Sequence, residues 1–116
     1  MREIYTAQYR YSDEDRLDIT VKGNHEFGRL FAPTWKMVMD FKSKKITEED
    51  YTKIYIPMVE RSIKNARLME KLGERFLNKI VLVCFCRSDS FCHRFILSKL
   101  FEDINFGKYL GELKKE

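Results

Sequence analysis

The residues with the clearest chemical potential lie close together in the last third of the sequence: Cys84, Cys86, Cys92 and His93. Cys92 is predicted to begin a helix beside His93 and Arg94, and this setting lowers the pKa of a thiol and activates it as a nucleophile. A cysteine-dependent reaction would use Cys92, with His93 as acid or base, and Cys86 is the second candidate nucleophile. Adjacent residues at a helix start usually point in different directions, so Cys92 and His93 need not form a pair.

The same residues could instead form a zinc site. Residues two apart in a strand face the same way, so Cys84 and Cys86 could converge, and Cys92 and His93 could complete a tetrahedron. The spacing differs from the usual C-x-x-C knuckle, however, and Cys84 lies inside an apolar run, where a free cysteine behaves as a small hydrophobic residue. The sequence therefore predicts reduced thiols, with no metal and no cofactor.

Polar donors surround the start of the same helix. The first helical turn leaves backbone N–H groups unpaired, and the helix dipole adds about half a positive charge there. Such a site suits a phosphate or a carboxylate. The predicted donors are the side chains of Arg87, Ser88, Ser90 and Arg94, and the backbone amides of Cys92 and His93.

Hydrophobic patterning predicts the elements that position this loop. Residues 80–86 form a continuous apolar run rich in β-branched residues, which predicts a strand buried on both faces. Apolar residues at helical spacing follow up to residue 104, where Asn105 and Gly107 can end the helix. A strand, a polar loop and a helix make half of a βαβ unit, in which ligands bind at the carboxyl end of the strand.

Strand and helix signals alternate in the rest of the chain. Residues 4–11, 17–21 and 108–113 are predicted strands. Helices are predicted after Pro33 and after Thr47, which can accept from the backbone N–H three residues on. Pro57 lies within the second helical pattern, so we expect a kink or a break there. This order predicts an α/β domain in which helices cover a small, mostly parallel sheet.

Composition predicts a single domain over residues 1–116. The net charge is +4, from 22 basic and 18 acidic residues, a mild bias toward anionic partners without the basic stripe of a dedicated nucleic-acid-binding protein. No run is long enough for a transmembrane helix, no signal peptide is recognisable, and three clustered cysteines do not suggest a disulfide framework. We expect a cytoplasmic protein that does not bind membranes, and homo-oligomer formation is left open.

The sequence also resembles a known family. The motif Cys84-x-Cys86 followed by Phe91-Cys92-His93-Arg94 is similar to the YeaO-like domain-of-unknown-function family, number four hundred and eighty-eight. Further likeness to its phage and bacterial branch covers most of the chain: Tyr9, residues 16–22, 31–35 and 46–51, and Tyr109-x-Gly111-Glu112. The resemblance implies a small Rossmann-like, three-layer fold and a link to nucleotide-centred systems.

With this resemblance, three further residues become candidate ligand contacts. Tyr9 lies on an aromatic strand face that could stack on a base, Lys22 lies near a strand end, and Trp35 could wall a pocket. Tyr109 and Glu112 could border the loop before Cys92.

The favoured hypothesis is that the protein binds a nucleotide, or a nucleotide-derived phosphorylated small molecule, at the loop between the 84–86 strand end and the 92–104 helix. Whether the ligand is also processed is left open. One alternative is a cysteine-dependent enzyme acting on such a ligand. Another is a nucleic-acid-binding module that uses the excess of lysine and arginine.

Overall fold

A computed structural model describes residues 1–86 and 91–113. Four strands form one sheet: β1 (Glu3–Gln8), β2 (Arg16–Asp18), β3 (Lys79–Cys84) and β4 (Lys108–Leu113). Their spatial order is β2-β3-β1-β4, and each of the pairings between them is parallel. The α/β class and the mostly parallel sheet predicted from the sequence are therefore confirmed, and the central position of β1 and β3 is new information.

Four α-helices occupy the long connections: α1 (Trp35–Lys42), α2 (Glu48–Ile63), α3 (Ala66–Arg75) and α4 (His93–Asp103), with a short 3-10 helix at Gly28–Phe31. The first three helices lie between β2 and β3, and α4 connects β3 to β4. Parallel strands need crossover connections, because each strand must start at the same end of the sheet, and helices form these crossovers before β3 and before β4.

The central strand β3 is buried on both faces, consistent with the Rossmann-like, three-layer arrangement. Ile80 and Leu82 point into a large apolar cluster shared with all four helices, and Val81 and Val83 point the other way. On that second face Val81 and Val83 pack with Ala7 under Tyr11 of the β1–β2 connection. The apolar run has its physical explanation here up to Cys84, because a strand covered on both sides needs apolar residues at every position. The strand ends at Cys84, two residues earlier than predicted, and Phe85 is exposed rather than buried.

Local signals placed the helix starts correctly, but not the break between α2 and α3. Thr47 and Asp50 form the two reciprocal hydrogen bonds of a capping box at the start of α2. The helix does not end at Pro57, as expected from the sequence; it continues to Ile63, and Asn65 caps α3 instead. Pro57 is on the exposed side of the helix, where its ring meets solvent rather than the core.

Arg2 connects the amino terminus to two helix ends. Its guanidinium donates to the backbone carbonyls of Phe76 and Gly73, at the end of α3, and to that of Phe106, just after α4. It also lies over the ring of Phe106, 3.9 Å from the ring centre. Helix C-termini expose unpaired carbonyls, so a cation there supplies both hydrogen bonds and a favourable charge.

Candidate functional site

The carboxyl ends of β2 and β3 open into a cleft of about 530 Å³. Small-molecule pockets typically measure about 300–1,000 Å³. The walls come from the turn after β2, from α1 and α2, and from the residues on both sides of the 87–90 segment. This is the edge of the sheet at which the strand-to-helix loop was predicted to bind a ligand.

Aromatic side chains dominate the walls. Phe41, Tyr51 and Phe91 contact one another with ring centres 5.2 to 5.6 Å apart, and Trp35 and Phe85 lie half or more exposed at the opening. Burial raises the pKa of Tyr51 far above its ordinary value, so its hydroxyl stays protonated. These rings offer flat apolar surfaces on which an aromatic ligand could stack.

Two exposed lysines contribute to the same cleft. Lys22 follows β2, and its Nζ lies 4.8 Å from the centre of the Trp35 ring. Lys42 ends α1. The turn that presents Lys22 is held by Asp18, whose carboxylate accepts hydrogen bonds from the backbone N–H and the hydroxyl of Thr20. The cleft therefore combines an apolar aromatic wall with two cations.

Cys84, Cys92 and His93 converge at the buried side of the cleft. Their ligand atoms, two sulfurs and an imidazole nitrogen, lie within 4.8 Å of one another, and each residue is at most 5% exposed. Cys84 ends β3, while Cys92 and His93 begin α4, so the parallel sheet and its crossover helix bring them together. The three residues have the chemistry to hold a metal ion.

The hydrogen bonds of His93 define its tautomer. Nε2 lies 2.6 Å from the backbone oxygen of Ile19, which can only accept, so Nε2 carries the proton and Nδ1 presents a lone pair. Nδ1 lies 3.4 Å from the sulfur of Cys92. Burial lowers the pKa of His93 to about 4, so the ring is neutral at pH 7. The two adjacent residues therefore do form a pair, which the sequence left open.

The sulfurs of Cys84 and Cys92 are in direct contact, close enough to be joined as a disulfide. Their α-carbons, however, are 7.9 Å apart, whereas those of disulfide-bonded cysteines usually lie about 4.4–6.8 Å apart. Cys86 is the remaining cysteine, half-buried in the cleft wall. Burial raises the pKa of the Cys86 thiol despite the lowering effect of Arg94, which opposes its predicted role as a nucleophile.

Arg94 does not line the cleft as a predicted phosphate ligand would. It is fully buried, and its Nε and Nη2 each donate to a carboxylate oxygen of Glu112 at 3.1 Å. Its Nη1 donates to the sulfur of Cys84 at 2.8 Å. Glu112 thus lies beside the first turn of α4, and Arg94 connects the edge strand β4 to the cysteine cluster.

Other predicted site residues lie in different places. Tyr9 stacks on Phe85 with ring centres 4.2 Å apart, and the guanidinium carbon of Arg16 lies 4.7 Å from the centre of the Tyr9 ring. Tyr9 therefore reaches the cleft only through Phe85. Arg87, Ser88 and Ser90 lie outside the described residues. Trp35, Lys22, Cys86, Cys92 and His93 all line the cleft.

Several cleft residues were not singled out from the sequence. Phe41, Tyr51 and Phe91 belong to apolar patterns at helix faces or strand ends, and such residues are ordinarily core. Lys42 opens a basic stretch with Lys44 and Lys45, and such a stretch is ordinarily a solvated connection. The sequence feature that could have identified them is their position near a strand end or a helix terminus at the ligand-binding edge of the sheet.

Comparisons with known proteins identify the family. No helix in the described parts of the chain is long and apolar enough to cross a membrane. No curated protein and no solved structure gave a significant match. A family profile described as "Active DUF488-N3 subclade" matches residues 3–105, a span that holds all of the described cleft residues. The chain therefore belongs to the DUF488 family.

Proposed function

We propose that the cleft binds a nucleotide, or a nucleotide-derived phosphorylated small molecule. The observation that supports this best is the combination, in one cavity of about 530 Å³, of stacked aromatic walls with Lys22 and Lys42. A nucleobase is flat and apolar on its faces, and a phosphate is an anion, so the two parts of a nucleotide match the two parts of the cleft.

The start of α4 supplies further support. Cys92 precedes the first turn of this helix, its side chain makes no capping hydrogen bond, and no acidic residue lies in that turn. Backbone N–H groups and the positive end of the helix dipole therefore face the region where a phosphate would lie. Arg94 has a positioning role in this proposal rather than a direct contact with phosphate, since Glu112 and Cys84 engage its guanidinium.

Trp35 provides a direct binding assay, because it is the only tryptophan in the chain and lines the cleft. Fluorescence titration with nucleoside mono-, di- and triphosphates should change the Trp35 emission. The bare nucleoside and inorganic phosphate should bind more weakly than the nucleotide, because each offers only half of the contacts. No fluorescence change with any nucleotide up to millimolar concentration, confirmed by calorimetry, would refute the proposal.

Substitution of the cleft lysines locates the phosphate. Lys22→Met and Lys42→Met should each weaken nucleotide binding about 10-fold, equivalent to about 1.4 kcal/mol for one lost charged contact. The matched control is Lys53→Met, which removes another exposed lysine that pairs with Glu49 on α2, outside the cleft. If Lys22→Met and Lys42→Met bind the nucleotide as tightly as Lys53→Met, the phosphate does not contact either cleft lysine.

A cysteine-dependent enzyme is the second candidate, favoured by the 3.4 Å approach of Cys92 Sγ to His93 Nδ1 at the cleft. Turnover of a bound nucleotide that survives Cys92→Ser unchanged would exclude Cys92 as the nucleophile. The nucleic-acid-binding alternative predicts an affinity that falls steeply with salt. The cytoplasmic location and the phage or bacterial branch expected from the sequence remain parts of the proposal.

A further inference from the structure

We propose that Cys84, Cys92 and His93 bind a zinc ion, with one coordination position left open toward the cleft. The three ligand atoms already lie within 4.8 Å of one another. Zinc–sulfur bonds of about 2.3 Å and zinc–nitrogen bonds of about 2.0 Å in a tetrahedron place these ligand atoms about 3.5–3.8 Å apart. Small rotations of the side chains are therefore enough to complete the site.

His93 is oriented as a metal ligand. A metal-bound histidine usually donates its other ring N–H to a carbonyl or a carboxylate, which fixes the ring and leaves the coordinating nitrogen unprotonated. Nε2 of His93 makes this bond to the Ile19 carbonyl at 2.6 Å, and Nδ1 faces the sulfur of Cys92. A histidine that only filled the core would not need its unprotonated nitrogen to face a cysteine sulfur.

The charges around the cluster balance for a divalent cation. Two thiolates and a neutral imidazole carry a charge of −2, which a zinc ion cancels, and the adjoining Arg94 and Glu112 cancel each other. Arg94 donates to the Cys84 sulfur at 2.8 Å, a contact that stabilises the thiolate form needed for metal binding. Without a cation, two thiolates in this buried place would repel each other.

The backbone spacing also fits a metal better than a disulfide. The α-carbons of Cys84 and Cys92 are 7.9 Å apart, wider than the usual range of a disulfide. Two thiolates on one zinc ion lie about 3.8 Å apart, which allows a wider backbone. Thiolate and imidazole ligands also favour zinc over magnesium or calcium, which prefer oxygen.

The open position follows from the ligand count within residues 1–86 and 91–113 and from the cleft. Three protein ligands with a fourth position for water or substrate are the pattern of catalytic rather than structural zinc sites. Because Cys84, Cys92 and His93 all line the cleft, a molecule bound there could reach the ion. Metal binding itself requires no nucleotide, so this inference stands or falls separately from the proposed function.

The test is metal binding by the full chain, purified under reducing conditions, stripped with a chelator and titrated with Zn²⁺ or Co²⁺. We expect one ion per chain by elemental analysis. Cobalt should give thiolate-to-metal charge transfer and the visible bands of a tetrahedral site. Cys84→Ser, Cys92→Ser and His93→Gln should each weaken binding at least about 100-fold, since even an outer-shell change can cost about 10–100-fold. Cys86→Ser, the matched control, should bind normally.

X-ray absorption of the zinc-loaded wild-type chain keeps the test decisive if the ligand variants do not fold. The expected shell is two sulfurs at about 2.3 Å and two nitrogen or oxygen atoms at about 2.0 Å. The inference is overturned if the reduced chain retains no zinc at micromolar concentration, if Cys86→Ser loses binding as strongly as Cys84→Ser, or if the intact mass shows a Cys84–Cys92 disulfide that persists under reductant.

Discussion

Arg94 and Glu112 form two hydrogen bonds across a buried interface, at 3.1 Å each, and their side chains are 0% and 11% exposed. Glu112→Ala leaves the guanidinium in the interior without this carboxylate, which typically costs about 3–5 kcal/mol of unfolding free energy. Urea denaturation measures the loss.

Lys99→Ala is the matched control for Glu112→Ala, because Lys99 lies on the same helix as Arg94 and forms an exposed pair with Asp103. Exposed pairs contribute little, so this variant should stay within about 0.5 kcal/mol of the wild type. Similar losses in the two variants would show that the Arg94–Glu112 pair is no more important than a surface pair.

His25 makes the stability of the chain depend on pH. Its Nδ1 accepts hydrogen bonds from the backbone N–H groups of Phe27 and Gly28 at 3.1 and 3.2 Å. Burial, followed by the charge of Arg75, lowers the pKa of His25 in the folded chain. Below about pH 6.5 the unfolded chain therefore takes up a proton before the folded chain does, and the free energy of unfolding falls as the pH drops.

His25→Asn isolates this effect, because the asparagine oxygen can accept the same two hydrogen bonds and does not titrate. Between about pH 6.5 and 5, the wild type should lose more stability than His25→Asn, by about 1 kcal/mol, the usual value of a lost cap. Thermal unfolding across this range measures both slopes. His93 contributes the same slope to both proteins, so parallel curves would show that His25 does not titrate in this window.

At the scale of elements, the start of α2 depends on the capping box of Thr47 and Asp50. Thr47→Ala removes the acceptor for the Asp50 N–H and should lower the free energy of unfolding by about 1 kcal/mol. Thr47→Ser keeps an equivalent oxygen and should restore most of the stability. If chemical denaturation finds the serine variant as unstable as the alanine variant, packing of the threonine methyl, and not the cap, explains the loss.

Elements were predictable where neighbours in the sequence determine them. The apolar run before Cys84 and the capping pattern at Thr47 contain their own signals, and both elements were placed correctly. The break between α2 and α3 was not placed correctly. Pro57 is tolerated because it lies on the exposed side of α2, whose other side packs into the core. The helix ends instead just before Asn65, which caps α3. Burial of the inner side of α2 therefore outweighed the helix-breaking tendency of Pro57.

For the molecule as a whole, Arg2 is the residue on which distant parts converge. Arg2→Lys keeps the charge but replaces a planar fork, which reaches three carbonyls, with a single ammonium. We expect a loss of about 2–3 kcal/mol in the free energy of unfolding, since hydrogen bonds from charged groups contribute about 1.5–3 kcal/mol each. Arg10→Lys, at an exposed position near β1, is the control and should leave the free energy of unfolding unchanged. If Arg2→Lys is as stable as Arg10→Lys, Arg2 acts only by its charge, which lysine retains.

The site was less predictable than the fold because it forms between distant segments. The cysteines, His93, Lys22 and Trp35 were recognisable by type and by position near element ends. The approach of Cys84 to His93, and the pairing of Arg94 with Glu112 on the edge strand 18 positions away, depend on the strand order, which no local pattern contains. The aromatic wall was indistinguishable from core for the same reason.

The central position of β1 has a consequence during protein synthesis. Of the four strands, β1 leaves the ribosome first, but its partners β3 and β4 begin only at Lys79 and Lys108, and Arg2 bonds to carbonyls 71 to 104 positions further on. At about 5–20 residues per second, β1 waits several seconds with both hydrogen-bonding edges unpaired. Unpaired strand edges bind other chains readily, so the nascent chain is most vulnerable to aggregation, and most available to chaperones, before β3 emerges.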